Sequence, residues 1–493
     1  MNEITNFGSY LNELLTLRGI DKKHFAASMN INRSLLYRFL SSEQLPDQDQ
    51  LNEISLKLNL RVSEQRKLWE SYECTQYGWE IVKGRKLITD MLGRLNNKIH
   101  EKGITYEYTL KSWTPVDENA GVVPVTNKTN VMNMVLSLLD SVRQNPDIST
   151  VKIILQPDLQ DFISILTKIL NEITDSKRDI SIDHIIRFKD TLLKKNRLHN
   201  LELLDSLLPL SSFENIYGIY YATENLTTEA YETFFPNFIS IDSKTAFVFS
   251  EDYENGILYT SECQETIELM NAEFTKICDD CLPLFINLET YEKQSLYMYE
   301  YERMVQAATS LLHPENGFYT FPADIINKKV KEHALAKEHA QLLIKRTEIF
   351  CERLKKSKAL EIISLAGLRN FAVTGQLQIY RNIKFSKSER IEVLKHLLKF
   401  LEEQENYSLY LMKEDNPFYD SDFAVYTIGS QLLYIVPSYT DFKITDNIII
   451  RNKGIVESFT DFMHSSFTTN NSIIDRNEVA SIISNIIETT QTL

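Results

Sequence analysis

Few residues of this chain have the types and spacing that catalysis or metal binding requires. Cys278 and Cys281 form a single CxxC pair, with no second pair and no histidine near it in sequence. A lone pair of this kind is more typical of a helix end with one buried and one exposed thiol than of a redox couple or half a metal site. His333 and His339 are six residues apart on a predicted helix, so they do not share a face that could hold a metal.

Nucleotide-binding loops are also missing from the sequence. No GxxxxGKS, GxxxxGKT or GxGxxG motif occurs, and the 493 residues include only 14 glycines. The 12 prolines are equally few, which argues against a turn-rich all-β fold and against low-complexity linkers. From these absences we expect no catalytic residues, no cofactor and no metal, and we predict that the protein is not an enzyme.

The charge of the chain is unevenly distributed. The formal net charge is −15, from 53 basic and 68 acidic residues, and as an average it points away from DNA. Residues 1–111 contain 16 Lys and Arg against 14 Asp and Glu, whereas residues 112–493 contain 37 against 54. The first part therefore has a net charge of +2 and tolerates a polyanion, while the acidity belongs to the long second part.

Composition and segment lengths also bear on location. Apolar residues make up 43% of the chain and charged residues 25%, as in ordinary globular proteins. The segment Met1–Tyr10 is polar, and no apolar run approaches the ~18–20 residues of a membrane-spanning helix. Five widely spread cysteines do not make a disulfide framework. We predict a cytoplasmic protein with no membrane partner.

The first 75 residues predict a series of short helices. Apolar residues recur at intervals of three to four positions, and Asp21, Asn32 and Ser63 stand where N-caps are expected. Asn30 begins a tight turn, because asparagine tolerates the left-handed backbone conformation. The predicted helices run from Phe7 to near Gly19, over Lys22–Met29, over Arg33–Leu40, over Leu51–Leu58, and onward from Ser63.

The segment from Phe25 to Leu40, FAASMNINRSLLYRFL, resembles the helix-turn-helix of Cro-type regulators, also called the xenobiotic-response-element family. Ala26 fits where the second helix crosses the third closely, and Ile31 fits as the apolar residue that locks the turn. The resemblance covers about 60–70 residues. The chain departs from the family at Leu40-Ser41-Ser42, where Glu-x-Gly is frequent, and at His24, where Gln is common.

The resemblance implies that the third helix enters the major groove of DNA with its N-terminal residues facing the bases. Leu36 and Phe39 would then point inward. Arg33 is the best candidate for a bidentate contact to guanine, and Asn32 or Ser34 for adenine or phosphate. The complete set of candidate DNA-binding residues is Lys22, Lys23, Asn32, Arg33, Ser34, Tyr37 and Arg38, with the two lysines placed over the phosphate backbone.

A basic helical pattern follows the predicted helix-turn-helix. Its apolar positions run from Ile81 to Ile99, and six basic residues against three acidic ones occur in 80–102. The helix either packs on a partner copy or is an additional helix of the small domain. Regulators of the resembled class usually dimerise, since one short helix reads too few base pairs, so we expect a homodimer.

The remainder of the chain alternates strand and helix signals, which predicts an α/β or α+β region. The predicted strands are Val151–Leu155, Ile180–Arg187, Ile216–Ala222, Phe238–Ile241, Ala246–Ser250 and Ile257–Thr260, and the predicted helices are Val131–Gln144, Leu159–Ile173 and Thr266–Ile277. Two strands and a helix after Thr245 are matched in pattern by two strands and a helix after Leu432, which indicates an internal repeat of two similar lobes. A helical block stands between them.

Two similar α/β lobes resemble, distantly, the phospholipase D-like fold, which some regulators use for sensing without catalysis. Active members carry two His-x-Lys-x4-Asp motifs, because a histidine nucleophile and a histidine acid must face one phosphate. Only His100-Glu101-Lys102, with Glu107 in place of aspartate, comes near this pattern, and it occurs once. We interpret that match as coincidence.

The sequence therefore predicts a multidomain protein, with an all-α helix-turn-helix domain followed by a large α/β region of two similar lobes and a helical insert. The predicted divisions are 1–75 for the helix-turn-helix, 76–111 for the basic helix, 112–287 and 405–493 for the lobes, and 288–404 for the helical block. We expect a bacterial, sequence-specific transcriptional regulator whose body senses a small-molecule or peptide effector or mediates dimerisation. Two alternatives stay open: a peptide-pheromone regulator with an all-helical sensor, and a phosphodiesterase-like or defence enzyme that carries a helix-turn-helix.

Overall fold

The computed structural model describes most of the chain as 17 α-helices and 16 strands. The described residues are 6–97, 121–156, 162–189, 194–213, 215–222, 236–286, 288, 290–305, 307–315, 317–332, 337–377, 383–421, 423–436, 447–467 and 472–492. The helices are α1 Phe7–Leu17, α2 Lys22–Ser28, α3 Arg33–Leu40, α4 Gln48–Lys57, α5 Val62–Tyr77, α6 Trp79–Asn97, α7 Lys128–Gln144, α8 Phe162–Asp175, α9 Lys194–Leu207, α10 Gln264–Asp280, α11 Tyr291–Met304, α12 Ala323–Glu332, α13 Lys337–Leu354, α14 Leu365–Thr374, α15 Lys387–Glu403, α16 Lys453–Ser466 and α17 Arg476–Thr492.

The strands form two sheets of eight. The first contains β1 Val122–Thr126, β2 Thr150–Ile154, β3 Ser181–Ile186, β4 Tyr217–Tyr221, β5 Asn237–Ile241, β6 Thr245–Phe249, β7 Asn255–Tyr259 and β8 Leu282–Pro283. The second contains β9 Phe285–Ile286, β10 Thr309–His313, β11 Ala359–Ser364, β12 Tyr407–Met412, β13 Ala424–Ile428, β14 Leu432–Val436, β15 Asn447–Ile450 and β16 Ser472–Ile473.

The helices α1 to α5 form a small N-terminal head around its own apolar core. Glycine at position 8 lets α1 lie against the end of α3, because a Cβ there would be 2.3 Å from the Leu40 carbonyl oxygen. The predicted turn is present, with Asn30 at φ +51°. Ser42 adopts φ +59°, the left-handed conformation that favours glycine, and its hydroxyl accepts the Gly8 N–H at 3.0 Å.

The two sheets repeat one topology. In the first, β2, β3 and β4 are parallel neighbours, and β5, β6 and β7 extend the other side of β2 in antiparallel order. In the second, β10, β11 and β12 are parallel, and β13, β14 and β15 extend the other side of β10 in the same way. Edge strands β1 and β8 correspond to β9 and β16. The repeat predicted after Thr245 and Leu432 is therefore confirmed, and it extends over both lobes.

The lobes meet where the chain passes from one sheet to the other. The Leu284 N–H donates to the Ile219 carbonyl at 2.7 Å, and the Leu284 carbonyl accepts the Ile449 N–H at 3.2 Å. The buried Tyr221 hydroxyl donates to the Ile449 carbonyl and accepts the Arg451 N–H at 2.9 Å. A single apolar core contains side chains from both lobes and from α6. These contacts join the two lobes into one body.

The predicted fold class is confirmed: a multidomain protein with a helical N-terminal region and a large α/β region of two similar lobes. The second lobe contains the predicted helical insert, since two helices stand between β10 and β11 where the first lobe has one between β2 and β3. The two eight-stranded sheets show that the alternative of an all-helical sensor domain is wrong.

The segment 288–404 is not purely helical, because it also contributes strands β10 and β11 to the second sheet. The predicted division at residue 405 falls between β11 and β12, which are hydrogen-bonded neighbours. Strands β10 and β11 are buried on both faces. A strand of this kind has no alternating pattern, so its short apolar run cannot be told from a buried helix by periodicity.

Candidate nucleic-acid interface

The apolar positions of α2 and α3 determine which of their side chains are exposed. Phe25 and Ala26 of α2, and Leu36 and Phe39 of α3, are buried in the core of the head. The Ile31 N–H donates to the Ala26 carbonyl at 3.1 Å and closes the turn between the two helices. Because a helix repeats every 3.6 residues, burial of this face of α3 leaves its opposite face in solvent.

Both helices begin at side-chain caps. The Asp21 carboxylate accepts the N–H groups of Lys23 and His24 at 3.0 Å, and these bonds lower its pKa. The side-chain Oδ1 of Asn32 accepts the Leu35 N–H at 2.7 Å and the Ser34 hydroxyl at 3.0 Å. Bidentate recognition of adenine requires both the oxygen and the nitrogen of an asparagine side chain. Since this oxygen is engaged at the cap, Asn32 serves α3 first as its N-cap.

Two of the predicted residues, Arg33 and Lys22, lie over the aromatic ring of a third, Tyr37. The Arg33 guanidinium lies 5.5 Å from the centre of the Tyr37 ring, and its Nη2 donates to the Tyr37 hydroxyl at 3.3 Å. The Lys22 ammonium, from the start of α2, lies 5.8 Å from the same ring centre. Tyr37 itself is 44% exposed, an unusual position for so large a side chain. The ring thus holds two cations at the exposed junction of α2 and α3.

The other predicted residues lie on the same two helices. Lys23, Ser34 and Arg38 are exposed, and Ser34 contacts the side chain of Asn32. Helices α2 and α3 together carry four Lys and Arg residues and no acidic residue. The charge of such a surface is of the sign that phosphates attract, and the surface has an arginine and a hydroxyl at the start of an exposed helix.

The basic helix α6 packs on the body of its own chain. Ile88, Met91 and Leu92 are fully buried in the core that the two lobes share. Arg85 pairs with Asp461 of the second lobe, and Arg94 hydrogen-bonds to Asp205 of the first. The apolar face of α6 is therefore buried against the two lobes of its own chain, and not in the core of the head. Residues 98–111 of the predicted helix, with the near motif at His100, lie outside the described residues.

A cavity lies where α6 meets the two lobes, and the sequence did not predict it. It is lined by residues of α6, α9 and α16, whose positions are up to 381 apart in the chain. In the sequence, Arg85 is one of six basic residues in 80–102. Its partner lies in the other half of the protein, and no local pattern encodes such a pairing.

The two cysteines of the CxxC pair lie at the end of α10, as the helix-end interpretation requires. Cys281 is buried and Cys278 is partly exposed, and neither forms a disulfide bond. Burial raises the pKa of Cys278 to about 12, so the reactive thiolate is scarce at neutral pH. Within the ranges that the structure describes, no group of three or more His, Cys, Asp and Glu residues is placed to hold a metal. His333 lies outside those ranges.

Each lobe contains a buried histidine, His184 in the first and His313 in the second. His184 donates from Nε2 to the Leu155 carbonyl at 2.7 Å, and its Nδ1 contacts the Tyr217 hydroxyl. His313 lies 3.3 Å from the Tyr426 hydroxyl and 3.5 Å from the Glu361 carboxylate. Burial lowers the pKa of His184 to about 4 and that of His313 to about 3. Both rings are therefore neutral at physiological pH.

Comparisons with known proteins give only distant similarities. No family model and no curated protein matches the chain. Phosphatidylserine synthase of Haemophilus influenzae Rd KW20 is 8% identical over 76% of this chain and 93% of its own, with a TM-score of 0.25. Polyphosphate kinase of Porphyromonas gingivalis is 10% identical over 75% and 56%, with a TM-score of 0.23. The archaeal chromatin protein TrmBL2, described as showing a novel mode of DNA binding, is 11% identical over 49% and 84%, with a TM-score of 0.22.

Two of these three structures are enzymes by name, against the prediction that the chain is not an enzyme, and that prediction is withdrawn. That prediction rested on missing linear motifs. Catalytic groups are commonly assembled from positions far apart in sequence, so a missing motif does not exclude an activity. At these TM-scores the matches assign no activity and no fold to this chain.

Among the described residues, no helix has the length and apolar character needed to cross a bilayer.

Proposed function

We propose that this protein is a cytoplasmic, sequence-specific DNA-binding regulator of transcription, with a Cro-type helix-turn-helix as its head. One observation carries the proposal: α3 is capped by Asn32, buries Leu36 and Phe39, and presents Arg33 and Tyr37 to solvent. In this role Arg33 contacts a guanine edge in the major groove, and Arg38 and Ser34 contact bases or phosphates on either side. Lys22 and Lys23 neutralise the phosphate backbone.

The distribution of charge supports this assignment. The acidic residues of the chain are concentrated in the body, whose residues 112–493 have a net charge of −17. Basic residues of α6 neutralise part of that negative charge, since they form ion pairs with Asp461, Asp205 and Glu202. Exposed charges more than about 10 Å apart are largely screened by salt, so acidic residues of the body that lie farther than this from α3 do not oppose the approach of a duplex.

We further propose that the regulator acts as a homodimer and that its body senses an effector. The head exposes three large apolar side chains away from α3: Leu17 is 72% exposed, Leu56 79% and Val62 75%. These residues lie at the ends of α1 and α4 and at the start of α5. Exposed apolar side chains of this size favour contact with a second copy. The apolar face of α6 is already buried within the chain and is not available for that contact.

Selection of DNA by the full-length protein tests the proposal. A library of random duplexes is passed over the immobilised protein for several rounds and sequenced, in parallel for the wild type and for Arg33→Ala/Arg38→Ala. We expect a single enriched sequence with the wild type and none with the double variant. Arg66→Ala is the matched control, because Arg66 is an exposed arginine on α5, which packs on α1 and α6. Enrichment of the same sequence by the double variant would contradict the assignment.

A further inference from the structure

A cavity of about 140 Å³ lies where α6 meets α9 of the first lobe and α16 of the second. Each of the three helices belongs to a different unit, namely the connection to the head and the two lobes. A water molecule occupies about 30 Å³ in the liquid, so the cavity has the volume of roughly five waters. A compound of about five non-hydrogen atoms therefore fits the cavity and touches all three units at once.

The inner wall of the cavity is apolar. Leu198 and Leu201 of α9 are buried, and Ile81 of α6 lies opposite them in the lining. Gly84 is part of the reason that space remains, since a Cβ there would be 3.3 Å from Leu201 Cδ1. A short aliphatic chain placed here removes apolar surface of both partners from water.

The rim of the cavity carries more negative than positive charge. Its carboxylates are Glu80, Glu457 and Asp461, and its guanidinium groups are Arg85 and Arg197. Arg85 donates two hydrogen bonds to Asp461 at 2.8 and 2.9 Å, and Arg197 pairs with Glu457 at 2.8 Å. Across the described parts of the chain, Glu80 makes no ion pair. The cavity thus combines an apolar wall with one carboxylate whose charge is uncompensated.

We propose that this cavity binds a small organic cation, an ammonium group attached to a short aliphatic chain. The ammonium donates hydrogen bonds to the Glu80 carboxylate, and the aliphatic chain contacts Ile81, Leu198 and Leu201. An anion of the same size meets Glu80 with like charge and has no free guanidinium to bind, because both arginines are paired within the site.

The position of the cavity also links its occupancy to the head. Helix α5 of the head ends at Tyr77, and only Gly78, at φ +97°, separates it from α6. The lining residues Glu80, Ile81 and Gly84 form the first turns of α6 directly after this joint. Resting on the proposed DNA-binding function, we infer that a bound ammonium ion changes the orientation of the head and hence its affinity for DNA.

Binding is tested with butylammonium chloride as the probe and the full-length protein, by calorimetry and by ligand-observed NMR at constant ionic strength. We expect butylammonium to bind the wild type, sodium butyrate not to bind, and Glu80→Gln to weaken butylammonium at least tenfold. Gly84→Ala, which narrows the cavity without changing its charge, is expected to weaken it as well. Asp90→Asn is the matched control, because it removes an exposed carboxylate from the same helix outside the cavity.

The outcomes separate this inference from the proposed function. Equal binding of butylammonium by the wild type and Glu80→Gln, equal binding of butyrate, or no binding to the wild type overturns the site. With the selected DNA, we expect butylammonium to shift the Kd of the wild type at least threefold and that of Glu80→Gln not at all. If butylammonium binds without shifting the Kd for DNA, the proposed coupling between the cavity and the DNA-binding head is overturned. Amine binding by a protein that binds no DNA supports the cavity and overturns the proposed function.

Discussion

Arg85 of α6 donates two parallel hydrogen bonds to the carboxylate of Asp461 in the second lobe, from Nε at 2.8 Å and from Nη2 at 2.9 Å. The arginine side chain is only 13% exposed, and it also lies 4.4 Å from the ring centre of Tyr77 at the end of α5. Two parallel hydrogen bonds fix both the position and the orientation of the guanidinium relative to the carboxylate. The contact therefore links the last helix of the head to the body through a single guanidinium.

The first prediction concerns the strength of this pair. We expect a double-mutant cycle of Arg85→Gln and Asp461→Asn to give a coupling energy of about 1–2 kcal/mol in urea unfolding, since the arginine is largely shielded from water. Lys83 and Glu202 provide the control pair, at 2.6 Å but with both side chains more than 40% exposed. We expect its coupling to be below about 0.5 kcal/mol. Equal coupling in the two pairs would show that burial does not strengthen the Arg85 contact.

The second prediction concerns the close approach of α1 and α3. In Gly8→Ala the new Cβ meets the Leu40 carbonyl, so the backbone of α3 has to shift, and we expect a loss of about 1–3 kcal/mol in the free energy of unfolding of the head. Weaker DNA binding is expected with it. Gly93→Ala is the control, because a Cβ at Gly93 meets no described atom within 4 Å and alanine favours a helix by up to about 1 kcal/mol. Thermal unfolding followed by circular dichroism measures both, and a neutral Gly8→Ala would show that α3 is not held against α1.

The third prediction is a loss of stability in acid that comes from the two buried histidines. Their pKa values, about 4 for His184 and about 3 for His313, lie below the ~6.5 of an exposed histidine. The unfolded chain therefore binds more protons than the folded chain below about pH 6.5, and stability falls as the pH is lowered from 6.5 toward 4 and 3. At about pH 5 each histidine accounts for about 2 kcal/mol of that loss.

Urea unfolding at about pH 7.5 and pH 5 measures this effect. We expect the difference in unfolding free energy between the two conditions to shrink by about 2 kcal/mol in His184→Gln. An unchanged difference in His184→Gln would mean that His184 is protonated in the folded protein.

The features that the sequence predicted well are encoded by neighbouring residues. The bounds Arg33–Leu40 of α3 follow from the Asn32 cap and from apolar residues three to four positions apart, and both signals are local. The strand Ala359–Ser364 and the pairing of Arg85 with Asp461 were missed for the opposite reason. A strand buried on both faces has no alternating pattern of apolar and polar residues. The partners of the ion pair are 376 positions apart, and the sequence around each of them contains no signal for the other.

The fourth prediction separates phosphate contacts from base contacts. Lys22→Gln and Lys23→Gln should each reduce the slope of log K against log salt by about 1, because each removes one phosphate contact. The ratio of affinities for the selected site and for unrelated DNA should change little. Lys86→Gln on α6, which packs on the body, is expected to leave the slope unchanged. Loss of sequence preference in Lys22→Gln would instead assign this lysine to the bases.

The most direct test of the central claim, that α3 reads DNA sequence, is the affinity ratio between the selected duplex and a shuffled duplex of the same composition. Fluorescence anisotropy at one fixed salt concentration measures this ratio for the wild type, Arg33→Ala/Arg38→Ala and Arg66→Ala. The account predicts that the ratio is large for the wild type and for Arg66→Ala and falls to about one for the double variant, whose circular dichroism spectrum remains that of the wild type. Full affinity of the folded double variant for the selected duplex would contradict it.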